Sequence, residues 1–135
     1  MSLFEWDKSF QVDIALLDNQ HKKLVNMIND LHDAMRRGDG KSVMQDILVK
    51  MTGYTVEHFN SEEELFDRYN YLETKKHRQE HALFVQKVTD FKRKFDNGDV
   101  FLSIEVITFL QEWLITHIKG SDKLYTPFLH EKGVR

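Results

Sequence analysis

Seven of the 135 residues are histidine and none is cysteine. His77 and His81 stand four apart, a spacing that puts both side chains on one face of a helix. His58 and Glu62 repeat it. His21 falls in line with Leu24 and Ile28. His117 closes the stripe of Ile107, Leu110 and Leu114, and Asp122 follows five residues later. Imidazole nitrogen and carboxylate oxygen, without sulfur, suit iron, zinc, manganese or copper. The lack of cysteine excludes disulfides, thiolate metal sites, iron–sulfur clusters and cysteine nucleophiles. Five histidines and two carboxylates are too many donors for one ion. Two ions sharing both carboxylates would each have a reasonable shell, because a carboxylate offers two oxygens whereas an imidazole binds one metal.

These residues need helices to hold them. Leu24, Ile28, Leu31 and Met35 recur at helical spacing, with Asp18 as the expected N-cap and Arg36, Arg37 and Gly38 as the stop. Val43, Ile47, Met51, Tyr54, His58, Glu62 and Leu65 form a second stripe behind Ser42. A third carries His77, His81, Phe84, Val88, Phe91 and Phe95 and stops before Asn97 and Gly98. The β-branched run from Val100 to Leu110 reads as the start of a fourth helix, because its apolar pattern continues at three- and four-residue spacing to His117. The expected helices cover about 19–37, 42–69, 74–95 and 103–119. An N-terminal arm (1–18, with Phe4, Trp6, Phe10, Val12 and Ile14) precedes them, and a short C-terminal segment with Tyr125, Pro127, Phe128 and Leu129 follows. The expected fold is all-α: an antiparallel up-down four-helix bundle forming a single domain over 1–135.

That topology places the chemistry. The first turns of helices one and three lie at one end of an up-down bundle, beside the C-terminal parts of helices two and four. His21, His77 and His81 come early in their helices, whereas His58, Glu62, His117 and Asp122 come late. All seven converge at one level. One spacing resists: five residues of α-helix advance about 500°, leaving His117 and Asp122 roughly 140° apart. They share a site if the metals lie at the helix end or if Gly120 relaxes the turn. His32 sits about 16 Å further along helix one than His21 and reads as a rim residue rather than a ligand. His130 reads as exposed. Arg78, Glu63, Glu64 and Glu80 neighbour the candidate ligands; supporting those ligands is the alternative for each, and surface is the preferred reading.

Composition narrows the function. Nineteen basic against 22 acidic residues give a net charge of −3, without the basic excess of a dedicated nucleic-acid binder. No apolar run is long enough to span a membrane, and the N-terminus lacks the pattern of a signal peptide, so a cytoplasmic location is expected.

The pattern resembles the hemerythrins, and among them the single-domain bacterial forms. The resemblance runs through Trp6, Ser9, Phe10, Val12 and Ile14 and the stretch Leu17-Asp18-Asn19-Gln20-His21. It continues in His58-Phe59-Asn60-Ser61-Glu62-Glu63, in His77 and His81, and in Trp113-Leu114-Ile115-Thr116-His117-Ile118. It ends in Asp122-Lys123-Leu124-Tyr125. Asp13 stands where many members have glycine. The resemblance implies two iron ions, one held by His77, His81 and His117 and the other by His21 and His58. Glu62, Asp122 and an oxo or hydroxo group would bridge them. The two-histidine iron is one ligand short, and dioxygen would bind there, in a pocket lined by Phe59, Trp113, Leu114 and Ile118.

The implied activity is reversible dioxygen binding for transport, storage or delivery, and not an enzymatic one. Five neutral imidazoles against two carboxylates favour a carrier over a carboxylate-rich oxidase. An oxygen or redox sensing module, or a di-iron peroxidase or oxidase, are the competing readings. The sequence points to no protein partner.

Overall fold

The computed structural model describes residues 5–98 and 102–135, so Phe4 of the expected arm and Val100 of the expected fourth helix lie outside the described residues. Among the described residues the ordered elements are all helical. Helix α1 is Ala15–Arg36 and α2 is Gly40–Tyr54. After a π-helical turn at Thr55–Phe59, α3 continues the same rod as Asn60–Tyr69. Helix α4 is Thr74–Asp96 and α5 is Leu102–Trp113. A π-helical stretch, Leu114–Asp122, extends α5, and the short α6 is Thr126–Glu131. Helix α1 packs on α2 and α5, and α4 also packs on α2 and α5, which closes a four-sided bundle.

Two helix starts differ from the sequence expectation. Helix α1 begins at Ala15, four residues before the expected start, with Ile14 as an N-cap that makes no side-chain cap. Asp18 therefore lies inside the first turn. Its Oδ1 accepts the Val12 backbone N–H at 2.7 Å, tying the arm down onto the helix that follows. Helix α2 begins at Gly40 rather than Ser42, whose hydroxyl instead donates to the Asp39 carbonyl. The stops follow the glycine and asparagine signals. Gly38 and Gly98 have φ of 78° and 74°, and Asn70 ends α3 in the left-handed region at φ 58°.

Apolar burial falls into two clusters with a polar layer between them. The larger holds Leu24, Ile28, Leu31, Met51, Tyr54, Phe59, Phe84, Leu110, Trp113, Leu114 and Ile118, among others. The smaller holds Val12, Ile14, Leu17, Phe66, Tyr71, Tyr125 and Leu129. Along the chain, His21 falls between Leu17 and Leu24, Glu62 between Phe59 and Phe66, His77 and His81 between Tyr71 and Phe84, and Asp122 between Ile118 and Tyr125, each pair taking one residue from each cluster. The smaller cluster is built largely by the arm and the C-terminal segment, so these two pieces cap the layer.

They also bond to each other. Thr126 Oγ1 donates to the Val12 carbonyl and His130 Nε2 to the Asp13 carbonyl, both at 2.6 Å. His130 is thus half-buried and engaged, not exposed. Asp13 takes φ 59°, the region that glycine enters freely and aspartate enters at modest cost.

Asp18→Ala leaves the fully buried Val12 N–H without its acceptor. The expected loss is about 1–2 kcal/mol of stability, read as a lower urea midpoint with unchanged slope.

Candidate metal centre

All seven candidate ligands are buried, each no more than 3 % exposed. They form two groups whose ligand atoms lie within 4.8 Å of one another: Glu62, His77, His81 and His117, and His21, His58, Glu62 and Asp122. Glu62 belongs to both. Its Oε1 is 3.2 Å from His58 Nε2 and 3.1 Å from His81 Nε2. Asp122 faces both sides as well. Oδ1 is 2.6 Å from His77 Nε2 and 2.9 Å from His117 Nε2, while Oδ2 is 2.9 Å from His21 Nε2. His32 belongs to neither group.

The backbone resolves the spacing of His117 and Asp122. From Leu114 to Asp122 the chain is wound as a π-helix, in which N–H groups bond five residues back and residues five apart stack. Gly120 lies within this widened stretch, six residues after its start. The second π-helical turn, Thr55–Phe59, carries His58. Both carboxylate-bearing rods are thus irregular where they approach the layer.

A second ring of polar groups fixes the imidazoles. The Gln20 side-chain oxygen accepts from His58 Nδ1 at 2.6 Å, and its nitrogen donates to Ser61 Oγ. Glu63 Oε2 accepts from His81 Nδ1 at 2.9 Å. Glu80 Oε2 lies 2.9 Å from His117 Nδ1, and its Oε1 accepts from Ser121. A proton held on the outer nitrogen leaves the Nε2 lone pair facing the layer, the tautomer that a metal requires. Tyr125, fully buried, donates from its hydroxyl to Glu62 Oε2 at 2.7 Å.

Glu63 and Glu80 therefore correct their reading as surface. Arg78 is exposed as expected, and it bonds Glu63 and Asp67. Gln20, Tyr125, Glu63 and Glu80 were not legible as site residues. Glu80 adjoins His81 in sequence yet pairs with His117, and Glu63 adjoins Glu62 yet pairs with His81. Adjacency along the chain carried no signal for either pair.

The aromatic wall is close. Phe59 lies flat on His81, with ring centroids 3.9 Å apart and an interplanar angle of 4°. Trp113 lies flat on His117 at 4.0 Å and 14°. Leu114 and Ile118 are fully buried.

The electrostatics suit cations. Burial and the Asp122 charge push Glu62 up, but His58 and His81 outweigh them and hold it below the usual carboxylate range. Burial also pushes Asp122 up, and His117, His21 and His77 hold it well below that range. Burial lowers His58 more than Glu62 raises it, so its imidazole is neutral. Burial lowers His117 too, but Asp122, Glu80 and Glu62 reverse the sign and raise it to about 10. His117 Nε2 and Asp122 Oδ2 are buried without a hydrogen-bond partner despite these short approaches. Misaligned imidazole and carboxylate atoms converging in a buried layer fit a pair of cations better than they fit one another.

A closed helical bundle around a sulfur-free layer of histidines and carboxylates defines a class of protein, the metal-binding four-helix bundle. The comparisons with known proteins are more specific. The family model for the hemerythrin HHE cation binding domain matches residues 12–129. A bacteriohemerythrin of Methylococcus capsulatus is 32 % identical over 130 residues, covering 96 % of this chain and 98 % of its own. A hemerythrin-like protein of Naegleria gruberi is 38 % identical over 124 residues, covering 92 % of each chain. The crystal structure of a wild-type hemerythrin superposes with a TM-score of 0.83 at 32 % identity, covering 93 % of this chain and 97 % of that one. The chain belongs to the hemerythrin family. Members of this family bind a di-iron centre and dioxygen.

Two outcomes follow from the second ring and the charges. Glu80→Gln keeps the shape but weakens the hold on the His117 proton, and metal affinity is expected to fall at least about tenfold in a competition titration. In the metal-free chain His117 adds stability in full below its unfolded value of 6.5, and this is lost as pH rises through about 10. The urea midpoint of metal-free protein should therefore drop between pH 7 and pH 10. A rise over that interval would contradict the assignment.

Proposed function

We propose that this chain binds dioxygen reversibly at two irons, to carry, store or deliver it. His77, His81 and His117 would hold one ion and His21 and His58 the other, with Glu62 and Asp122, whose oxygens face both groups, available to both. The observation that supports this most directly is the unequal donor count in one buried layer, three imidazoles on one side and two on the other. When bound, two ferrous ions supply the electrons and an open coordination position for dioxygen on the two-histidine side.

The protein's own residues hold that position ready. The Gln20 oxygen keeps the His58 proton on Nδ1, so Nε2 remains a donor. Tyr125 holds one Glu62 oxygen and leaves the other toward the histidines. Phe59, Trp113, Leu114 and Ile118 are buried and would line the ligand's pocket with hydrocarbon. Dry apolar walls slow the protonation that would otherwise drive loss of reduced oxygen and irreversible oxidation. Iron over zinc or manganese follows the family, since the donor types admit all three.

The test is anaerobic reduction followed by cycles of air and argon, with iron content and the visible spectrum recorded. About two irons per chain and an absorption band that appears with oxygen and vanishes under argon are expected. His58→Ala should abolish the band and His32→Ala should leave it intact. Sustained turnover of peroxide or a reductant, well above autoxidation, would favour an enzyme instead.

A further inference from the structure

Two buried hydrogen-bond donors beside the layer have no acceptor in the protein. They are the Tyr54 hydroxyl and the Trp113 indole N–H. Tyr54 is 4 % and Trp113 8 % exposed, and folded proteins seldom leave such groups unpaired. Their placement is not incidental to the centre. The Tyr54 ring stacks on His58, with centroids 5.0 Å apart and planes 18° from parallel, whereas Trp113 stacks on His117. Phe59 and Phe84 each touch both rings and fill the space around them with hydrocarbon.

The Tyr54 ring stacks on His58 and packs against Phe59 and Phe84, so its unpartnered hydroxyl belongs to the apolar space beside the two-histidine side of the layer. A groove of about 410 Å³ between α1 and α2 reaches the same place, lined by Gln20, Met27, Tyr54 and His58. An exposed Lys23–Glu57 pair at 2.9 Å stands at its rim.

We propose that the Tyr54 hydroxyl donates a hydrogen bond to the small ligand bound on the His21–His58 side. Tyr54 is then a positioning and selecting residue for diatomic or linear triatomic ligands that end in a hydrogen-bond acceptor. This rests on the di-iron reading given above. The bundle itself makes no use of the hydroxyl, since no protein hydrogen bond is lost with it.

Azide, a linear anion with an acceptor at its free end, is the probe. In iron-loaded wild-type protein the infrared stretch of bound azide should shift on transfer to deuterium oxide, and Tyr54→Phe should remove that shift. The same substitution should weaken azide binding roughly tenfold, the value of about one hydrogen bond. It should leave the melting temperature of the azide-free protein unchanged, whereas loss of a structural hydrogen bond would lower it by roughly 3–5 °C. A solvent-insensitive stretch in the wild type, or equal azide affinity in both proteins at equal iron content, would overturn the inference and leave the di-iron reading standing. Wild-type protein that takes up no iron would overturn both.

Discussion

Seven ionisable side chains are buried in one layer of a small bundle, and the rest of the structure is arranged around that burden. Removing charges from water costs several kcal/mol for each group unless partners compensate. The protein compensates in part by itself. Glu62 and Asp122 stay ionised because histidines surround them, and His117 stays protonated because carboxylates surround it. That internal compensation leaves misaligned and unpartnered atoms, which two cations would engage. Metal binding and folding are therefore coupled through the same residues, since a protonated imidazole such as His117 must give up its Nε2 proton to coordinate.

The apolar clusters serve this layer from both sides. The larger fills the bundle and brings flat aromatic faces against His81 and His117. The smaller closes the open end, where an up-down bundle alone would leave the first turns of α1 and α4 exposed to water. It is made from chain segments far apart in sequence, joined by the Thr126 and His130 hydrogen bonds to the arm. The left-handed Asp13 sits at this junction, and the cost of its conformation is accepted where the arm turns.

The backbone departs from α-helical winding where carboxylate-bearing rods meet the layer. π-helical turns are rare and tend to occur at functional sites, because they trade regular hydrogen bonds for a shift in side-chain direction. Here the shift brings Asp122 beneath His117 and carries His58 to the layer. Outside the donors lies the ring of Gln20, Glu63 and Glu80, which sets where the imidazole protons reside. A structure that fixed the seven donors without this ring would leave their tautomers, and hence their lone pairs, undirected.

The sequence alone determined the helices, the level at which His21, His58, Glu62, His77, His81, His117 and Asp122 meet, and the sulfur-free chemistry they share. Helical spacing is local, and an up-down chain of similar helix lengths fixes which ends coincide. What only the tertiary structure decided is the winding that unites His117 with Asp122 and the pairing of Glu63 and Glu80 with particular histidines. It also decided the Tyr125 bond to Glu62 and the isolation of the Tyr54 hydroxyl. Each depends on atoms from different helices meeting within about 3 Å, the range of a hydrogen bond. A one-residue change in winding redirects a side chain by about 100°, so such meetings are not encoded in any single segment.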